Sequence, residues 1–302
     1  MKIIFMGTPH YAEEILKTLI DAENIDVVAV YTQPDKAVGR KRVMTSPLVK
    51  GIADTQKIAV YQPNRLRDEE VVKKLLEIEC NYIVVAAYGQ ILPQSILDHA
   101  PCINLHASIL PQYRGASPIQ QTLLNDDKKT GVTAMLMEAG LDTGDILKIS
   151  TLEVPHNEMQ GNLFLRLTEV ACELTLDILE NFKSYTAQAQ DDAQASHCKK
   201  ITKADGEVSF DDATDIYNKY RAFTPWPGIY LQSGLKLKKI LLEEKESINE
   251  SGKILKIEND YIVVGCKKGS IQVHSVQAPS KKEVSISSYI NGKRLSLDNI
   301  LS

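Results

Sequence analysis

The sequence predicts an α/β protein, a doubly wound, mainly parallel Rossmann-like sheet followed by a small OB-like β-barrel domain. Three observations predict it. Short apolar or β-rich runs at 2–7, 27–31 and 82–87, and a short strand at 102–106, alternate with stretches of helical period, as in a parallel sheet covered by helices. A polar, small-residue tract at 184–200 breaks that pattern. Beyond it lie short β-rich runs separated by turn residues. The expected division is a first domain over 1–188, a linker over 189–204 and a second domain over 205–302.

The opening strand, 2–7, ends in Gly7-Thr8-Pro9 and leads into a helix over 12–20. A dinucleotide fingerprint would need further glycines where Pro9 and Ala12 stand, so the turn reads as a tight strand-to-helix connection and not as a nicotinamide site. Strands follow at 27–31 and 57–61, an amphipathic helix at 69–78, and strands at 82–87 and 102–106. Pro118 opens a helix over 118–124, since proline fits a first helical turn. A strand over 131–137 and a long helix over 162–182 complete the first domain. In the second, strands are expected at 208–210, 230–232, 235–242, 252–258, 261–266 and 270–276, with a helix at 212–223. Trp226, the single tryptophan, reads as a structural anchor.

With 302 residues, 43% of them hydrophobic, the chain can bury about two cores, and no apolar run reaches the roughly 18 residues of a membrane span. The N-terminus is too short and too soon broken for a secretory signal. Five scattered cysteines without C-x-x-C spacing argue against a disulfide framework or a zinc site and for a reducing cytoplasm. Net charge is −4, yet the stretch from 231 onward is net basic and the rest acidic, a hint of nucleic-acid contact.

The period of a strand places Cys102, Asn104 and His106 on one face. An amide beside an imidazole suits acyl-type chemistry: one stabilises a developing oxyanion, the other holds or moves a proton. N-x-H alone is short, and it equally fits a strand end with two satisfied polar residues. Two longer runs follow, N-x-H-x-S-x-L-P-x-x-R-G over 104–115 and L-D-T-G-D-I over 141–146, and F-T-P-W-P-G stands at 223–228. Together these motifs resemble the folate-dependent formyltransferases, from the opening strand to the C-terminal region.

The resemblance implies transfer of a formyl group from 10-formyltetrahydrofolate to a primary amine, with no metal. Asn104, His106 and Asp142 match the catalytic trio of the family. Asn104 would donate to the oxyanion, His106 would stabilise that oxygen and supply a proton, and Asp142 would orient His106. Backbone around Ala87, Tyr88, Gly89, Ile91 and Leu92 would take the pterin, together with Ser108, Ile109, Leu110, Pro111 and Gly140. The loop 33–47 carries Lys36, Arg40, Lys41 and Arg42, and its Gly39-Arg40 pair is similar to one in members that act on transfer RNA. The implied acceptor is the α-amino group of methionine on initiator methionyl-tRNA, formylated for translation initiation by a cytoplasmic monomer. Two alternatives stand beside it: a small amine such as an amino-sugar nucleotide as acceptor, and a non-catalytic RNA-binding relative, against which the intact trio argues.

Overall fold

The computed structural model describes residues 1–39 and 41–302. Arg40, one of the expected RNA-contacting residues, lies outside the described residues. Two compact units are present. The first comprises Met1–Pro118, Lys129–Glu153 and Phe164–Cys198; the second comprises Ile119–Lys128, Val154–Leu163 and Lys199–Ser302.

The elements run β1 (Lys2–Gly7), α1 (His10–Asp21), β2 (Asp26–Tyr31), β3 (Lys36–Val38), β4 (Val43–Thr45), α2 (Leu48–Thr55), β5 (Ala59–Tyr61), α3 (Glu69–Leu76), β6 (Tyr82–Ala86), α4 (Gln94–Leu97), β7 (Cys102–His106), β8 (Arg114–Gly115) and α5 (Pro118–Leu124). They continue β9 (Lys129–Leu136), β10 (Ile146–Glu153), α6 (Gln160–Asn181), β11 (His197–Cys198), α7 (Ala213–Phe223), β12 (Ile229–Tyr230), β13 (Lys236–Glu244), β14 (Ile254–Ile257), β15 (Ile262–Gly265), β16 (Ser270–Gln277), β17 (Val284–Ser285) and α8 (Ile286–Lys293).

The main sheet has seven strands in the order β10-β9-β7-β6-β1-β2-β5. The pairs from β7 to β5 are parallel, and β9 runs antiparallel to β7 and β10. The chain lays down β1, β2 and β5 in one direction, then crosses to the other side of β1 for β6. Such a reversal of winding opens a crevice beyond the carboxyl ends of the two central strands. Gly7 closes the turn there. A Cβ on it would stand 2.4 Å from Ala12 Cβ and 2.9 Å from the Ala86 carbonyl. Beneath the crevice Ile4, Met6, Tyr31, Leu66, Leu75, Ile83, Tyr88 and Leu92 share one buried cluster. Each such side chain stabilises the fold by about 1.5–3 kcal/mol.

Three features depart from the sequence expectations. Residues 33–47, expected as a flexible loop, contain the hairpin β3–β4, with Lys36 opposite Thr45 and Val38 opposite Val43. Both strands are wholly exposed, so no apolar alternation marks them. Asp35 closes the base: its carboxylate accepts from Gln62 Nε2 at 2.7 Å, Ser46 Oγ at 2.9 Å and Lys50 Nζ at 3.2 Å. Those donors, Gln62 foremost, hold the carboxyl below its ordinary range. The stretch 208–210 is not a ladder strand; the Val208 N–H donates to the Tyr230 carbonyl at 2.9 Å, beside an isolated bridge between Glu207 and Tyr230. Trp226 is 60% exposed, while Phe223, three residues earlier, is the buried aromatic.

The polar tract after α6 is tied to the first unit through Cys198. Strand β11 pairs in parallel with β8, His197 opposite Arg114 and Cys198 opposite Gly115. In the second unit a six-stranded antiparallel sheet carries β12, β13, β16, β15 and β14 in order, with β17 on β16. Helix α7 starts on Asp212, whose Oδ1 accepts from Thr214 N at 2.8 Å, a side-chain N-cap. Its buried Arg221 donates from Nη2 to Asp126 Oδ1 at 2.8 Å and Asn218 Oδ1 at 2.6 Å. Among the described residues no helix is long and apolar enough to cross a membrane.

Candidate active site

Strand β7 is buried along its length, its two polar side chains included. Asn104 and His106 are 9% and 7% exposed. They stand beside Val85 of β6 and beside Met135 and Thr133 of β9. Asp142 arrives from the β9–β10 connection and reaches both. Asn104 Nδ2 donates to Asp142 Oδ1 at 3.4 Å, and His106 Nδ1 lies 3.7 Å from Asp142 Oδ2. The expected trio is therefore brought together.

Donor chemistry fixes the orientations. His106 Nε2 lies 2.9 Å from the Tyr113 carbonyl, which can only accept, so Nε2 carries hydrogen. The ring then has one nitrogen left for chemistry, Nδ1, and it faces the carboxylate. The Asn104 amide likewise turns its NH2 to the carboxylate, and its second hydrogen remains available. Asp142 is held further by the Gly115 N–H, which donates to Oδ2 at 2.8 Å. Its backbone is held as well: Gln190 Nε2 donates to the carbonyls of Asp142 at 2.9 Å and Gly144 at 2.7 Å. Gln190 Oε1 in turn accepts from Arg114 Nε at 3.1 Å and Nη2 at 2.8 Å.

Three non-glycine residues around the site adopt left-handed backbone: Ala87 at φ 48°, Tyr113 at φ 61° and Asp142 at φ 55°. Each costs about 1 kcal/mol or more and persists because the surroundings over-determine it. At Tyr113 the surroundings are β11. Ser196 Oγ accepts from Tyr113 N at 2.9 Å, and the Cys198 thiol donates to the Tyr113 carbonyl at 3.3 Å. Burial pushes the Cys198 thiol up, and it pushes the Cys102 thiol up to about 12, so neither offers a thiolate near neutral pH.

The expected folate-contacting residues lie on the connections that follow β6, β7 and β9, with Tyr88, Leu92, Ser108 and Leu110 buried. Ala87 and Gly89 are exposed where the chain leaves β6. Tyr88 and Leu92 belong to the buried core cluster, 2% and 4% exposed. Ile91 projects outward, 82% exposed. The Tyr88 carbonyl is engaged by Gln33 Nε2 at 3.1 Å and Thr8 Oγ1 at 3.3 Å, which steadies the loop. Among the described residues, the N–H groups of Gly89, Ile91 and Leu92 have no protein acceptor. The loop Ser108–Pro111 is set by Thr133, whose hydroxyl donates to the Ser108 carbonyl at 2.6 Å and accepts from Leu110 N at 3.1 Å. Gly140 packs so tightly that a Cβ would meet Thr143 Oγ1 at 1.9 Å. That buried hydroxyl has no hydrogen-bond partner among the described residues. Spare backbone donors, an orphaned hydroxyl and an apolar wall fit a flat heterocycle with an amide-like edge.

Lys36, Lys41 and Arg42 are exposed on or beside the β3–β4 hairpin. Among the described residues one group could hold a metal ion, His10, Glu13 and Glu14 on α1. Lys17 already pairs with both carboxylates, at 2.9 Å and 2.8 Å. Nothing in the sequence marks Gln190 as part of the site. It stands in a tract of small polar residues, and its partners come from 46, 48 and 76 positions away.

Residues 1–179 match the formyl transferase family and residues 200–294 match the formyl transferase C-terminal domain. A methionyl-tRNA formyltransferase of Sulfurimonas denitrificans is 68% identical over 302 residues, covering 100% of both chains. Those of a Sulfurovum species and of Campylobacter curvus are 52% and 50% identical, covering 99% and 100% of each chain. The chain belongs to the formyl transferase family, among the methionyl-tRNA formyltransferases. Solved structures share the fold at low identity. The N-formyltransferase from Helicobacter canadensis, in complex with folinic acid and dTDP-3-aminofucose, gives a TM-score of 0.69 at 18% identity, covering 91% of this chain and 99% of that one. HypX from Aquifex aeolicus in complex with tetrahydrofolic acid gives 0.61 at 14%, covering 96% and 47%.

Proposed function

We infer that the chain transfers a formyl group from 10-formyltetrahydrofolate to the α-amino group of methionine on initiator methionyl-tRNA, for translation initiation. The end-to-end similarity to methionyl-tRNA formyltransferases carries this reading. The convergence of Asn104, His106 and Asp142 supports it independently.

The bound folate would supply the formyl carbon and a nitrogen leaving group. Peptide groups of Ala87, Tyr88, Gly89, Ile91 and Leu92 would pair with the pterin edge, with Ser108–Pro111 and Gly140 on the facing rim. The uncommitted hydrogen on Asn104 Nδ2 would go to the formyl oxygen as negative charge collects there. His106 would hold a proton at Nδ1 beside that oxygen, because Nε2 is spent on Tyr113. Asp142 would keep the ring facing the reaction and balance its charge. Lys36, Arg40, Lys41 and Arg42 would contact RNA phosphates. Free cysteines throughout suit the cytoplasm, and a monomer leaves the hairpin open to RNA.

Formyl transfer to methionine-charged initiator tRNA tests the reading, with uncharged tRNA and amino-sugar nucleotides alongside. Formylation of the charged tRNA alone is expected. Formylation of a sugar amine would overturn the acceptor assignment, and RNA binding without transfer would overturn the enzymatic one.

A further inference from the structure

We propose that Gln190 is a positioning residue for formyl transfer, acting through the backbone of Asp142; this rests on the roles read above for Asn104, His106 and Asp142. The orientation of its amide is dictated by chemistry. Arg114 has only donors, so the atom between Nε and Nη2 must be oxygen. The NH2 group therefore faces away from Arg114, and its two hydrogens meet the carbonyls of Asp142 and Gly144, with the Met135 sulfur a distant third acceptor at 4.0 Å. Both the oxygen and the NH2 group of the Gln190 side chain thus meet partners of the correct kind.

The support behind it is rigid. Arg114 is 4% exposed, and its Nη2 also donates to Asp192 Oδ1 at 2.8 Å. The next residue, Gly115, donates its N–H to the Asp142 carboxylate. Residues 114 and 115 thus grip Asp142 twice, at the carboxylate directly and at the carbonyl through Gln190. The grip matters because Asp142 holds a left-handed φ of 55°, which an L residue leaves when it is not restrained. Its carboxylate is 3.4 Å from Asn104 Nδ2 and 3.7 Å from His106 Nδ1, both already long. A small rotation of the 140–144 turn would therefore uncouple it from both.

The test uses the full chain carrying Gln190→Ala or Gln190→Glu, alone and combined with Asp142→Asn, with kcat and KM for folate and tRNA and thermal unfolding measured together. Gln190→Glu keeps the acceptor for Arg114 and places a second oxygen against the two carbonyls, so it stands in if Gln190→Ala does not fold. We expect kcat to fall about 10- to 100-fold, as for a small misplacement of a reacting group. Both KM values should move by less than about threefold. On the Asp142→Asn background the Gln190 change should remove no further activity, because both act through one group. Wild-type kcat in Gln190→Glu, or losses that add on the Asp142→Asn background, would overturn the proposal. Wild-type transfer to a sugar amine would refute the acceptor assignment and leave this test valid on that acceptor. A wild-type chain that formylates no amine refutes the enzymatic reading and this role with it.

Discussion

Gly115 and Asp142, 27 residues apart, are joined by a hydrogen bond of 2.8 Å from the backbone N–H of one to Oδ2 of the other. No side chain intervenes, so the carboxylate is located by the path of the main chain. That path requires glycine: φ is 119°, and a Cβ would stand 2.3 Å from the Cys198 carbonyl of β11.

Gly115→Ala should therefore harm stability and turnover together. The left-handed strain alone costs about 1–3 kcal/mol, and β11 must also shift. Chemical denaturation and kcat, measured on one preparation, check it; a stable variant with full activity would contradict the account.

Asn104→Ala should lower kcat by about 10²–10³, the usual loss for one oxyanion donor. The fold should survive, because the amide's one observed bond, to Asp142, is long at 3.4 Å. His106→Ala should abolish measurable turnover with folate binding kept. Near-normal turnover in either variant removes that residue from the mechanism.

Lys41→Ala with Arg42→Ala should raise KM for charged tRNA and leave folate binding unchanged. The slope of log affinity against log salt should fall by about one for each phosphate that is no longer neutralised. An equal loss of folate affinity would mean that the hairpin serves the folate site.

Asp126 contributes to the acid limb of stability in the second unit. Burial opposes its ionisation, but the Lys128 ammonium and the charges of Arg221 and His156 outweigh it and lower the pKa below the ordinary 3.8. A carboxyl with a depressed folded pKa contributes stability above its unfolded pKa, and that contribution is lost as pH falls through the folded value. Asp126→Asn should cost about 3 kcal/mol at neutral pH by leaving the buried Arg221 guanidinium uncompensated. It should also flatten the loss of stability below pH 3.8. Parallel wild-type and variant curves through that window would rule Asp126 out.

The parallel strands were legible because a strand covered on both faces must be apolar at nearly every position, as 82–86 is, while 102–106 breaks that run only at Asn104 and His106. Cys102–His106 and Pro118–Leu124 have the expected bounds. The β3–β4 hairpin was not legible, since its six paired residues are exposed and nothing in their hydropathy alternates. Asn104 and His106 share a face by local period alone. Their meeting with Asp142 needs the β7–β9 register, and the motif resemblance supplied it. Gln190 had neither route: its contacts depend on β11 folding back onto β8, a pairing of only two residues.

The hairpin that bears Lys36 has a kinetic consequence. Its strands are already paired and its base already closed by Asp35. Ordering a free segment costs about 1–2 kcal/mol per residue, and these strand residues have met that cost before any encounter. In the RNA contact proposed above, capture by a searching, unfolded arm would be replaced by collision with a shaped cationic prong. For that contact, its association rate would be set by orientation and ionic strength, and its selectivity by which acceptor ends admit that shape.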